Sequence, residues 1–144
     1  MTDNSVHFLL VEDDDDHAEL ITMGLQASNG STKTIDRVRD GEEALSYLKR
    51  TGSYSDRPRP SLVLLDLKLP KVNGHEVLKV MKADGELRGI PVVVLTTSQA
   101  LEDRVEAYAS YANSYLTKPT DFGEFSQMIK DVSRYWTVWN QRTD

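Results

Sequence analysis

Five residues far apart in the chain have side chains that together could handle a phosphoryl group: Glu12, Asp13, Asp66, Thr96 and Lys118. Each follows a short, mainly apolar run: VHFLLV before the acidic pair, SLVLL before Asp66, PVVVL before Thr96 and SYLT before Lys118. Three crowded carboxylates repel one another, and without a cation some stay protonated. Hard divalent cations bind such oxygens, and magnesium usually takes only one or two carboxylates together with water and phosphate oxygens. A lysine and a hydroxyl opposite the cation can hold the remaining oxygens of a transferring phosphoryl group. Catalysis of that transfer is mostly positioning and charge stabilisation. An aspartate can itself be the nucleophile, forming an acyl phosphate.

The elements that must position these residues alternate along the chain. Apolar runs at residues 6–11, 61–65, 91–95 and 114–117 read as strands, and a weaker candidate interrupted by charges lies at 34–38. Between them lie amphipathic helical patterns. The first carries Ala18, Ile21 and Leu25 and ends at the C-cap signal Asn29-Gly30. The others span residues 41–48, 73–82 and 101–112, with a long last helix from about Asp121. Five such alternations predict an α/β fold: a five-stranded parallel sheet with helices on both faces. Continuous apolar runs are what strands buried on both faces require. In open sheets of this kind ligands bind beyond the carboxyl ends of the strands, which is where all five residues fall.

Composition narrows the function. The chain has 144 residues, 39% hydrophobic and 28% charged, as expected of a single globular domain over residues 1–144. With no cysteine it has no disulfide, thiolate metal site or cysteine nucleophile, which fits a reducing, cytoplasmic setting. The net charge of −6 argues against nucleic-acid binding, and no apolar run approaches the length of a membrane span. The acidic run EDDDD also repels phosphate unless a metal intervenes, unlike the glycine-rich turn of a nucleotide or flavin domain. Asp14, Asp15 and Asp16 read as helix N-terminal charges rather than ligands. His7, His17 and His75 form no cluster in the sequence, and none reads as a metal ligand.

The segments LLVEDD, LLDLKLPKVNG, PVVVLTTS and SYLTKP occur in this order, spread from Leu9 to Pro119. In order and spacing they resemble the receiver domains of response regulators. The resemblance implies a flavodoxin-like sheet of strand order 2-1-3-4-5. It implies phosphorylation of Asp66 by a sensor histidine kinase, with magnesium held by Glu12, Asp13, Asp66 and the main-chain carbonyl of Lys68. Asp13 would be a direct ligand and Glu12 would act through water. Thr96 would be the switch hydroxyl, Lys118 the partner of the phosphoryl oxygens, and Tyr115 the switch aromatic. Pro119 would follow a cis peptide bond. Side chains at Lys68 and Ser98 would tune the acyl phosphate lifetime, and Thr97 would narrow access to Asp66. A magnesium-dependent aspartyl-phosphate hydrolase would need an acid where Lys68 stands. A receiver implies no enzyme activity beyond its own aspartate, leaving a terminal regulator, a relay intermediate or a phosphate sink.

Two further segments carry expectations. TGSYSDRPRP (51–60) is longer than a minimal helix–strand connection and reads first as a solvated loop. With LPKVNG and the long last helix it resembles the stand-alone receivers associated with bacterial phytochrome kinases. The last helix carries Phe122, Phe125, Ile129, Val132, Trp136 and Trp139 at helical spacing. Trp136 and Trp139 lie beyond the length needed to cover a five-stranded sheet and predict a homodimer using the last two helices and the fifth strand.

Overall fold

The apolar runs form one parallel sheet. The computed structural model describes residues 5–27 and 32–142. Its elements are β1 (Val6–Val11), α1 (Asp15–Gln26), β2 (Lys33–Val38), α2 (Gly41–Lys49), β3 (Leu62–Leu65), α3 (Gly74–Ala83), β4 (Val92–Thr96), α4 (Leu101–Ala109), β5 (Ser114–Thr117) and α5 (Phe122–Arg134). The sheet order is β2-β1-β3-β4-β5, with every pairing parallel. β3 and β4 are buried along their whole length, whereas the edge strands β2 and β5 are mostly half-buried. That contrast explains why 34–38 reads weakly: an edge strand has less apolar surface to bury.

Alternating residues of the sheet feed two cores. Leu9, Val11, Val63, Leu65 and Val94 pack with α2 and α3 through Leu48, Val77, Leu78 and Met81. Phe8, Leu10, Leu64, Val93 and Leu95 pack on the other face with α1 and α5 through Ile21, Leu25, Phe125 and Ile129. Four of the five α-helices start on side-chain caps, α4 being the exception: Asp14, Asp40, Asn73 and Asp121 each accept from a backbone N–H one turn on. α1 ends at Gln26, and the expected Asn29-Gly30 cap lies outside the described residues. α4 ends at Ala109, three residues before the expected Ala112, and Tyr111 then takes a left-handed conformation at φ 67°.

The C-terminal stripe departs from expectation at Phe122, which is exposed, and at Trp136, which packs against the core, whereas Trp139 is exposed as expected. Phe125 and Ile129 are core, and Val132 and Trp136 pack partly against it, but Phe122 is 75% exposed. Phe122 opens α5 and lines a cleft beside α1, beyond the reach of the sheet. α5 passes into a π-helical turn over Tyr135–Trp139, which shifts the helical phase and leaves Trp139 66% exposed. The 51–60 connection contains one short 3-10 turn and is pinned rather than loose: Arg57 pairs with Asp36 at 3.2 Å and Arg59 with Glu86 at 2.7 Å.

Candidate phosphoryl-acceptor site

Backbone hydrogen bonds that continue the parallel ladders past the strand ends bring the five residues together. Glu12 N–H donates to Val38 O at 3.1 Å, Asp66 N–H to Val11 O at 3.1 Å, and Lys118 N–H to Thr96 O at 2.7 Å. The start of α3 packs directly behind the acceptor. A Cβ on Gly74 would lie 2.3 Å from Asp66 O and 2.6 Å from Leu67 Cα, so only glycine fits there without a shift.

Lys118 is the centre of the pocket. Its Nζ donates to Glu12 Oε1 at 2.6 Å and to Asp66 Oδ2 at 3.0 Å, and it lies 3.0 Å from His17 Nδ1. Both carboxylates are buried with it, whereas Asp13 stands exposed at the rim. Burial pushes the Glu12 carboxyl up to about 7, although its hydrogen bond and ion pair to Lys118 pull the other way. Donor oxygens of Glu12, Asp13 and Asp66 lie within 4.8 Å of one another. An all-oxygen set of this size suits a hard divalent cation. The backbone of Lys68 also borders this set, its N–H donating to Asp66 Oδ1 at 3.2 Å. Asp14, Asp15 and Asp16 stay outside it. Asp14 caps α1, and Asp15 pairs with Arg37 at 2.9 Å and Arg39 at 2.7 Å.

Both expected switch residues converge on Ser98. Thr96 is fully buried and its Oγ1 accepts from Ser98 N–H at 3.4 Å, while Tyr115 O–H donates to Ser98 O at 3.1 Å. The Ser98 hydroxyl donates in turn to Asp103 on α4, which also meets His75 Nε2 of α3 at 3.1 Å. The expected cis bond before Pro119 is corrected: every peptide bond among the described residues is trans. Trans is the lower-energy isomer of an X–Pro bond by about 0.5–1 kcal/mol, and the chain turns from β5 into α5 without leaving it.

Sequence reasoning missed the role of His17. It lies in the first turn of α1, its ring set edge-on against Phe125 at 5.6 Å between centroids. Its position in the first helical turn after the acidic run was the available signal, but only the fold brings α1 beside Lys118.

A five-stranded parallel sheet of order 2-1-3-4-5, with an acidic pocket and a buried lysine at its carboxyl edge, defines a flavodoxin-like receiver architecture. Residues 8–130 match the response regulator receiver domain family, and the chain belongs to it. Among its relatives is the probable methanogenesis regulatory protein FilR2 of Methanothrix harundinacea (strain 6Ac), 47% identical over 92% of this chain and 84% of the relative. Response regulator Rcp1 of Synechocystis sp. (strain ATCC 27184 / PCC 6803 / Kazusa) is 40% identical over 89% of this chain and 86% of its own. The phosphorylated cyanobacterial phytochrome response regulator RcpA superposes with a TM-score of 0.93 at 37% identity, covering 97% of this chain and 99% of that one. The Mn(2+)-bound form of Rcp1 superposes with a TM-score of 0.92 at 36% identity, covering 96% and 99%. The chain is thus a response regulator of two-component phosphorelay signalling, whose receivers accept phosphate from histidine kinases and bind divalent cations at an acidic pocket.

Proposed function

We propose that Asp66 accepts the phosphoryl group. The observation that carries this is the buried ammonium of Lys118 between Asp66 and Glu12, at 3.0 and 2.6 Å. An Asp66 oxygen attacks the phosphorus of a phosphohistidine, and the bond to the histidine nitrogen breaks with its electron pair leaving on that nitrogen. Lys118 transfers its hydrogen bond from Asp66 Oδ2 to a phosphoryl oxygen. Glu12, Asp13, Asp66 and the main-chain carbonyl of Lys68 are the groups that would hold magnesium, Asp13 as a direct ligand and Glu12 through water. The ion supplies neutralising charge for the phosphoryl oxygens. Thr96 moves toward the phosphoryl group and pulls on Ser98, to which Tyr115 is tied, so that Tyr115 repacks. The α4–β5–α5 face then changes its affinity for partners.

The chain acts as one receiver domain over residues 1–144 and promotes only phosphoryl transfer to, and hydrolysis from, its own aspartate. Its kinase is a sensor histidine kinase of the phytochrome type, a reading supported by the phytochrome response regulator RcpA among its structural neighbours. It works in the cytoplasm, without nucleic acid or membrane, and pairs with a second copy through α4, β5 and α5. Asp66→Asn should abolish labelling by acetyl phosphate with magnesium, followed by intact-mass spectrometry. Labelling retained at the wild-type level would refute the assignment.

A further inference from the structure

The three N–H donors of the Lys118 ammonium meet three acceptors: Glu12, Asp66 and His17. An ammonium has no lone pair, so His17 Nδ1 must be the acceptor, and its ring carries hydrogen on Nε2. Two of the three acceptors belong to the oxygen set that fits the cation, and His17 does not. With cation and phosphoryl group in the pocket, Asp66 would share its lone pairs with both and Glu12 would accept from water on the cation, so neither would be left to Lys118 alone. The imidazole keeps its lone pair for Lys118. It is also held in place: the His17 N–H is capped by Asp14 at 2.9 Å and its ring rests on Phe125. His17 lines a cleft with Thr97, Gln99, Lys118 and Phe122, so removing its ring would open the buried ammonium to that cleft.

We infer that His17 is a positioning residue for phosphoryl transfer: it anchors Lys118 while the other two acceptors are recruited to the reaction. This rests on Asp66 being the acceptor and Lys118 its phosphoryl contact. Asparagine can place Oδ1 close to the position of Nδ1, whereas leucine fills similar space without a lone pair. The test compares His17→Asn and His17→Leu with wild type. With acetyl phosphate and magnesium both saturating, His17→Leu should label roughly ten- to hundredfold more slowly, the loss of one hydrogen bond to a charged group. Its magnesium affinity by calorimetry should stay close to wild type, and its melting temperature should fall, because the buried ammonium is left one acceptor short. His17→Asn should recover most of the rate.

A second readout needs neither cation nor turnover. In the metal-free protein the Lys118 ammonium protons should exchange slowly enough for 15N-detected NMR in wild type and His17→Asn, and be lost in His17→Leu. Equal labelling rates for His17→Leu and wild type would overturn the inference, as would equal slowing by the two variants. Unchanged labelling of Asp66→Asn, run alongside, would instead refute the acceptor assignment itself.

Discussion

Glu12 sits in the pocket against its own solvation. Removal from water raises its carboxyl from 4.5 to about 7, more than the 2.6 Å bond to Lys118 offsets. A carboxyl raised in the folded state contributes stability that is complete below its unfolded pKa and is lost as pH rises through the folded one. Metal-free protein should therefore lose stability as pH climbs from 4.5 through about 7. Cation binding needs the ionised form, so magnesium affinity should rise over the same window, roughly tenfold from about pH 6 to about pH 8. Isothermal titration calorimetry at the two ends checks this, and a flat affinity would contradict it. Glu12→Gln should flatten the profile and leave the metal-free protein at least as stable as wild type at alkaline pH. At this scale the sequence was legible wherever a residue ends a strand. The group at positions 12, 13, 66, 96 and 118 follows from strand ends, because parallel strands share a carboxyl edge. His17 was not legible, because its partner comes from the fifth strand's end across the sheet. Nor was the part of Ser98 as the shared anchor of Thr96 and Tyr115, since its backbone N–H and carbonyl have no sequence signature.

Elements hold the pocket by close approach as much as by apolar packing. α3 starts at Gly74, whose N–H donates to Leu67 O at 2.8 Å, and the helix presses against the backbone that carries Asp66. Gly74→Ala must therefore push α3 or the acceptor loop away, at a cost of about 1–3 kcal/mol of folding stability. Gly85→Ala is the control, since nothing lies within 4 Å of a Cβ built there. Urea unfolding of the two variants should separate them, and Gly74→Ala should also slow labelling of Asp66. Equal stability would show that α3 yields freely. Element types were readable from periodicity, and element ends were readable where a side chain marks them. Asn73 caps α3 by accepting from Glu76 N–H at 3.0 Å, and Asp121 caps α5 by accepting from Glu124 N–H at 2.8 Å. The end of α4 was not readable, because Tyr111 adopts a left-handed turn that normally calls for glycine or asparagine. The exposure of Phe122 was missed for a similar reason: helical spacing assigns a face but not how far the sheet extends beneath it.

At the scale of the molecule, exposed apolar side chains include Met23 of α1 with Phe122 beside it and a larger group around β5. Leu101, Val105 and Tyr108 of α4 are exposed at helical spacing, and Tyr135, Val138 and Trp139 are exposed after α5. Between them runs β5, an edge strand that among the described residues pairs only with β4. Unpaired edges and clustered aromatics are costly to leave in water and are commonly covered by a partner. The two tryptophans divide the work. Trp136 packs against the core formed by the sheet, α1 and α5, so Trp136→Ala should lower folding stability. Trp139 touches solvent and has the Arg134 guanidinium 6.0 Å from its ring centre, so Trp139→Glu should leave folding intact and weaken self-association. Sedimentation equilibrium on the order of tens of micromolar, with and without a phosphoryl mimic, tests the pairing, because a dimer of micromolar affinity is mostly assembled there. Wild type should sediment as a dimer in at least one of the two states, and Trp139→Glu should shift it toward monomer. A wild-type monomer in both states would remove self-association as the use of this face and leave kinase or target binding to account for its apolar exposure.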